Sequence, residues 1–150
     1  MKNYQDFNIK AFSLLEIIIA IVVMGLIFSF AIPKFNNINE NSDILTLKSH
    51  YALIQSVITR KKSNEVLLQN NVNIDSLDSA RINIKNEELF KNVLDTPILS
   101  TTINDKNYGN WAKISNVKYL FFTQSKTFEF VLENGNFVCI SNENLCKEIE

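Results

Sequence analysis

The chain has 150 residues, 15 basic and 16 acidic side chains and one histidine, for a formal net charge of −1. That length suits one compact domain plus an anchor. The near-balanced charge gives no support for sequence-independent nucleic-acid binding, which needs clustered Lys and Arg. A single histidine, His50, leaves no His-centred catalytic triad and no recognisable zinc spacing, so it reads as an ordinary surface or edge residue.

The chain begins with a short polar segment, residues 1–11, which carries Lys2 and Lys10. An apolar run follows from Phe12 to Ile32, and Glu16 is its only ionisable residue. At about 1.5 Å per residue such a helix is roughly 31 Å long, enough to cross the hydrocarbon core of a bilayer. Carboxylates inside membrane spans are costly and usually have a partner, so Glu16 calls for an opposite charge. Lys2 and Lys10 place the N-terminus on the cytoplasmic side, although Lys34 directly after the run blunts the asymmetry. An ordinary single-pass anchor leaves the Phe12–Glu16 pattern and Pro33 unexplained. A secretory signal peptide cut after Ala31 would have an overlong apolar core containing a carboxylate.

Ala11-Phe12-Ser13-Leu14-Leu15-Glu16, followed by apolar residues and then Pro33, resembles the processing region of type IV pilins and type II secretion pseudopilins. The resemblance covers roughly the first 35 residues. That family usually has glycine where this chain has Ala11, and alanine is small enough to be accepted. The resemblance implies a leader peptide (1–11), a transmembrane and assembly helix (12–33) and a periplasmic globular domain (34–150). It implies cleavage between Ala11 and Phe12 by a prepilin peptidase, with N-methylation of Phe12. Glu16 would neutralise the terminal amine of a neighbouring subunit, and Pro33 would bend the helix. The implied location is the bacterial inner membrane, and then a pilus or pseudopilus. Implied partners are other pilin-like subunits and an inner-membrane assembly platform, with no cofactor. Nucleic acid would be met only indirectly, in a machine for DNA uptake.

Past the proline, whose missing N–H and ring should loosen the helix, come Asn36, Asn37, Asn39 and Asn41, which are poor helix formers. Leu47, Tyr51, Ile54 and Ile58 then recur at the spacing of one buried helix face, and the pattern ends at Arg60-Lys61-Lys62. That triplet reads as a helix C-terminus on a solvated face. Residues 63–80 are polar and indistinct around a short run at Val66-Leu67-Leu68. Ile82 and Ile84 predict a short strand, and Asn86 an N-cap for a helical turn burying Leu89, Phe90, Val93 and Leu94, stopped by Pro97. Asn104–Asn110 is a loop by composition, and Asp105-Lys106-Asn107-Tyr108-Gly109 lacks the ligand series of an EF-hand. Trp111 is placed to lock that loop onto the core.

In the last third, Phe128, Phe130 and Leu132 alternate with polar neighbours, and Asn134-Gly135 precedes Phe137, Val138, Cys139 and Ile140. Asn-Gly between apolar runs predicts a two-residue hairpin pairing Glu133 with Asn136, Leu132 with Phe137 and Phe130 with Cys139. Tyr119–Phe122 adds a third strand through a turn near Gln124-Ser125. The aromatic face of this sheet needs a cover, and Tyr51, Ile54 and Ile58 supply it. The fold class is therefore α+β, a long N-terminal helix packed on a small C-terminal antiparallel sheet. Cys139 and Cys146 can form a disulfide if the C-terminal part faces an oxidising compartment. The chain then reads as a structural subunit, a minor pilin or pseudopilin serving protein secretion or DNA uptake. The alternative is a membrane-anchored periplasmic binding or sensor domain that does not polymerise, and an enzyme is a remote third.

Overall fold

The computed structural model describes residues 13–68 and 74–149. The chain divides into two units after Asn37. A single helix, α1 (Leu14–Leu68), supplies the start of the first unit's described part and continues into the second. It is followed by β1 (Glu88–Leu89), β2 (Ile98–Leu99), β3 (Asn110–Lys113), β4 (Lys118–Phe122), β5 (Thr127–Glu133), β6 (Asn136–Cys139) and α2 (Glu143–Ile149).

In the first unit, Leu14–Ile32 is apolar enough to cross a membrane, with a mean hydropathy of 2.7 and every large apolar side chain exposed. The helical backbone runs unbroken through Pro33, and the side chain of Pro33 lies outside the described ones.

The second unit is built on a four-stranded antiparallel meander in the order β3-β4-β5-β6. Asn134 and Gly135 both take positive φ (51° and 67°), the requirement of a tight hairpin turn. The register is Glu133 with Asn136, Leu132 with Phe137 and Phe130 with Cys139, as the sequence predicts. Because the side-chain period of a strand is two, this register puts Phe128, Phe130 and Leu132 on one buried face. Trp111, Tyr119, Phe121 and Phe137 join them, and Leu47, Ile54 and Ile58 of α1 close the core. Tyr51 packs its ring 5.4 Å from that of Phe130. Burial of each large apolar side chain here stabilises by roughly 1.5–3 kcal/mol relative to exposure. The opposite sheet face carries a smaller cluster of Ala112, Leu120 and Phe122, flanked by Ile114.

Several local expectations are corrected. α1 does not stop at Arg60-Lys61-Lys62 but continues to Leu68. Lys61 donates to the Asn92 carbonyl and Lys62 to Asn136 Oδ1 at 2.7 Å, so two of the three cations tie the helix to loop and hairpin. Ile82 lies in a turn and Ile84 in irregular chain, and both are exposed. Asn86 does not cap a helix. It takes φ 61° and bonds through its N–H to the Ser100 carbonyl, feeding the β1–β2 pair. Phe90 then reverses the chain, also at φ 61°, and a hydrogen-bonded turn closes from the Val93 and Leu94 amides to its carbonyl. The apolar residues of this segment are nevertheless inside, with Leu89, Phe90 and Val93 buried and Leu94 packed at the margin.

Besides the short β1–β2 pair, two elements were not anticipated. Strand β3, holding Trp111, adds a fourth strand, and α2 buries Ile149 in the core. The outer edge of β3 is occupied by the Asn83 and Thr101 amides, which donate to the Lys113 and Trp111 carbonyls, and Gln55 of α1 donates to the Phe137 carbonyl on β6. The β3 edge is thus paired at two carbonyls and the β6 edge at one, which blunts both for edge-to-edge association.

Candidate functional site

Of the residues singled out from the sequence, Ala11 and Phe12 lie outside the described residues. Ser13 occupies the N-cap position of α1, its carbonyl accepting the Glu16 and Ile17 amides at 3.0 and 3.2 Å. Glu16 is exposed and stands in the first helical turn. A carboxylate there is favoured by the unpaired N–H groups and partial positive charge of the helix start. Ser-x-x-Glu is also the sequence form of a capping box. Glu16 therefore has a local role that the sequence argument did not include, in addition to any partner outside the chain.

Cys139 on β6 and Cys146 on α2 are disulfide-bonded, with Cα atoms 5.8 Å apart. The bridge is possible because α2 turns back immediately after the sheet. Asn142 starts it, its Oδ1 accepting the Leu145 amide at 2.9 Å. Lys126 fixes the helix a second time through Glu148, at 2.6 and 2.8 Å.

Three polar constellations were not legible in the sequence. Asp78, in the coil before β1, is 2 % exposed and meets Lys113 of β3 at 2.7 Å. Its other oxygen accepts the Tyr119 hydroxyl at 2.9 Å and the Phe90 amide at 3.0 Å. The Ala80 amide donates to Asp78 Oδ1 and the Ala80 carbonyl accepts from Lys113 Nζ, so the buried pair is well satisfied. Burial and the adjacent Asp78 charge push the Tyr119 phenol far above its ordinary range, keeping it a donor. Four separate segments are pinned at this one carboxylate.

His50 is not merely an edge residue. Its Nδ1 accepts the Trp111 indole N–H at 3.1 Å, which fixes the neutral ring with its proton on Nε2. Burial holds its pKa below the ordinary value.

Glu40 and Asp43 form the third constellation, on the stretch of α1 that the asparagines made look weak. Glu40 accepts the Thr123 hydroxyl at 2.8 Å and the Ser125 amide at 3.0 Å, capping the β4–β5 turn. Asp43 Oδ1 lies so close to Gly109 that a Cβ there would sit 2.8 Å from it, and Gly109 also needs its φ of +74°. Asp105, in the same loop, is paired with Lys85. Among the described residues no three His, Cys, Asp or Glu side chains gather as metal ligands.

Comparison of the chain with protein-family models, with curated proteins and with solved structures finds no match. The architecture and these constellations are therefore the basis for a functional reading.

Proposed function

We propose that this protein is a pilin-like subunit, a minor pilin or pseudopilin, stored in a membrane and built into a fibre that serves protein secretion or DNA uptake. The observation that carries the reading is the division of labour within α1. One unbroken helix begins as an exposed apolar stretch, Leu14–Ile32, and ends as the cover of an antiparallel sheet. The Ala11–Glu16 pattern supports the same reading. A prepilin peptidase would cut after Ala11 and the new amine would be methylated on Phe12. Fibre growth on an inner-membrane platform would then bury the apolar helices against those of other subunits. The work of such a subunit is structural, not enzymatic.

Glu16 would choose the geometry of that packing. A carboxylate removed from water gains strongly from an opposite charge within reach. Only one axial stagger brings it to the Phe12 amine of a neighbour. The test begins with the mature N-terminus. Mass spectrometry of membrane-extracted protein should find N-methyl-phenylalanine at Phe12, and Ala11→Leu should block the cut. A chain retaining Met1, or one starting at Ile32, would end the assignment. Glu16→Gln should leave a cleaved, membrane-located protein that is lost from sheared fibres, since breaking a buried pair costs roughly 3–5 kcal/mol. Glu16→Asp separates the two roles of the residue, because it keeps the charge at the helix start while shortening its reach.

A further inference from the structure

Glu40 and Asp43 are one helical turn apart on α1 and both turn toward the β4–β5 connection, yet their oxygens are treated differently. Both oxygens of Glu40 are engaged by donors, the Thr123 hydroxyl and the Ser125 amide. Such an arrangement holds the ionised form, and the pKa of Glu40 lies below its ordinary value: burial works against the charge, but these donors and Lys126 outweigh it. Asp43 has no such set. Its Oδ2 is buried without a hydrogen-bond partner among the described residues. Its Oδ1 is wedged against Gly109. Burial first, and the neighbouring Glu40 charge second, raise its pKa, while a hydrogen bond from the Gln124 amide works the other way.

We infer that Asp43 is a proton-operated latch: neutral, it lets α1 close on the β4–β5 turn and the Gly109 loop, and ionised, it loosens that closure. The physical reason is the orphan oxygen. A buried acceptor with no donor is unfavourable, and more so when charged. A proton on Oδ2 removes the charge from the unmatched oxygen and ends the repulsion with Glu40. The other charged groups on the surrounding elements are already engaged. Lys126 is held by Glu148, and Lys106 lies over the Phe122 ring, 5.0 Å from its centre. Tyr108, on the same loop as Gly109, is exposed.

The sign follows from linkage. A carboxyl whose folded pKa lies above its unfolded value of 3.8 binds protons more readily in the native state. Its contribution to stability therefore grows as pH falls through the folded pKa toward 3.8, and ionised Asp43 is a cost at pH 7. Glu40 acts in the opposite sense, below its ordinary 4.5. The latch does not depend on the fibre reading, because all of its parts belong to the second unit.

The experiment uses the full chain in detergent micelles and compares it with Asp43→Asn and Asp43→Ala from pH 4 to 8. Asparagine has the shape of the protonated acid and an N–H in place of its O–H. Asp43→Asn should melt above the native chain at pH 7, and the gap should close on acidification as the native carboxyl takes up its proton. His50 is common to both chains and cancels in the difference. Hydrogen exchange at Ser125, corrected for intrinsic rate, should slow on acidification in the native chain and stay level in Asp43→Asn. A carbon-detected NMR titration of the Asp43 carboxyl should give a midpoint above 3.8. The latch is overturned if the midpoint falls at or below 3.8, or if Asp43→Asn melts as low as Asp43→Ala at pH 7 with a gap independent of pH.

Discussion

Ile21 and Ile54 are the same residue type in the same helix, yet Ile21 is 64 % exposed and Ile54 is fully buried. Among the described residues nothing covers the apolar surface around Ile21, whereas Ile54 shares one core with Phe130, Phe137 and Trp111 of the sheet. The side chains of the first region have no apolar cover among the described residues. The second supplies its own. Helix formation in both comes from the same backbone hydrogen bonds. What differs is the surroundings each side chain is built for, and that difference divides α1 into an exposed apolar stretch and the cover of a folded unit.

Paired substitution should break this comparison open with the largest effect. Ile54→Ala should cost the globular unit about 2–5 kcal/mol through lost burial and the cavity left behind. Ile21→Ala should leave its unfolding midpoint unchanged in the same thermal melts. Equal losses would mean that the two regions share a core. Asp78→Ala sharpens the comparison from the polar side. It strands Lys113, 3 % exposed, inside the core, at a cost of roughly 3–5 kcal/mol. An unfolded C-terminal unit is the expected phenotype, read by its loss of protease resistance.

Reduction of Cys139–Cys146, or Cys146→Ser, should act next. In the chain-entropy model a loop this short contributes about 2–3 kcal/mol. Release of α2 and Ile149 should show as faster amide exchange over Glu143–Ile149, while β3 to β5 stay protected.

The smallest expected effect is at His50. Its pKa is lowered in the folded state, so the unfolded chain binds the proton more readily, and stability present above 6.5 is lost as pH falls from there toward the folded value. Protonated Nδ1 cannot accept from Trp111, and a hydrogen bond of this kind contributes about 1 kcal/mol. His50→Gln should flatten that part of the stability profile. Chemical denaturation between pH 5 and 8 checks it, and an unchanged slope would remove His50 as its source.

The hairpin was readable because its information is local. Asn134-Gly135 dictates the turn, and a period of two then fixes which of Phe128, Phe130, Phe137 and their neighbours face inward. The covering face of α1 was readable for the same reason, from the periodicity of Leu47, Tyr51, Ile54 and Ile58. Residues 82–94 were misread because their structure rests on distant partners. Ile82-x-Ile84 alternates like a strand, yet the Asn83 amide is taken by Lys113 and its side chain by the Ile103 amide. Glu87–Leu94 has helix-like spacing, but Phe90 is held at positive φ with its amide on Asp78. The helix end at Arg60–Lys62 was misplaced because charges read as a solvated terminus are anchors to Asn92 and Asn136.

By itself, then, the sequence determined the apolar start of α1, its buried face, the hairpin register, the α+β class and the two cysteines within reach of each other. These depend on hydropathy, period and turn chemistry, which act over a few residues. Only the tertiary structure decided which polar groups go inside. Asp78 has nothing in its sequence neighbours to mark it as buried, because Lys113, Tyr119 and the Phe90 amide reach it from other segments. The same holds for His50 under Trp111, and for Asp43, whose missing partner is visible only once Gly109 and the β4–β5 turn close around it. A charge is tolerated in a core only where several chain segments converge to satisfy it, and that convergence is a property of the fold.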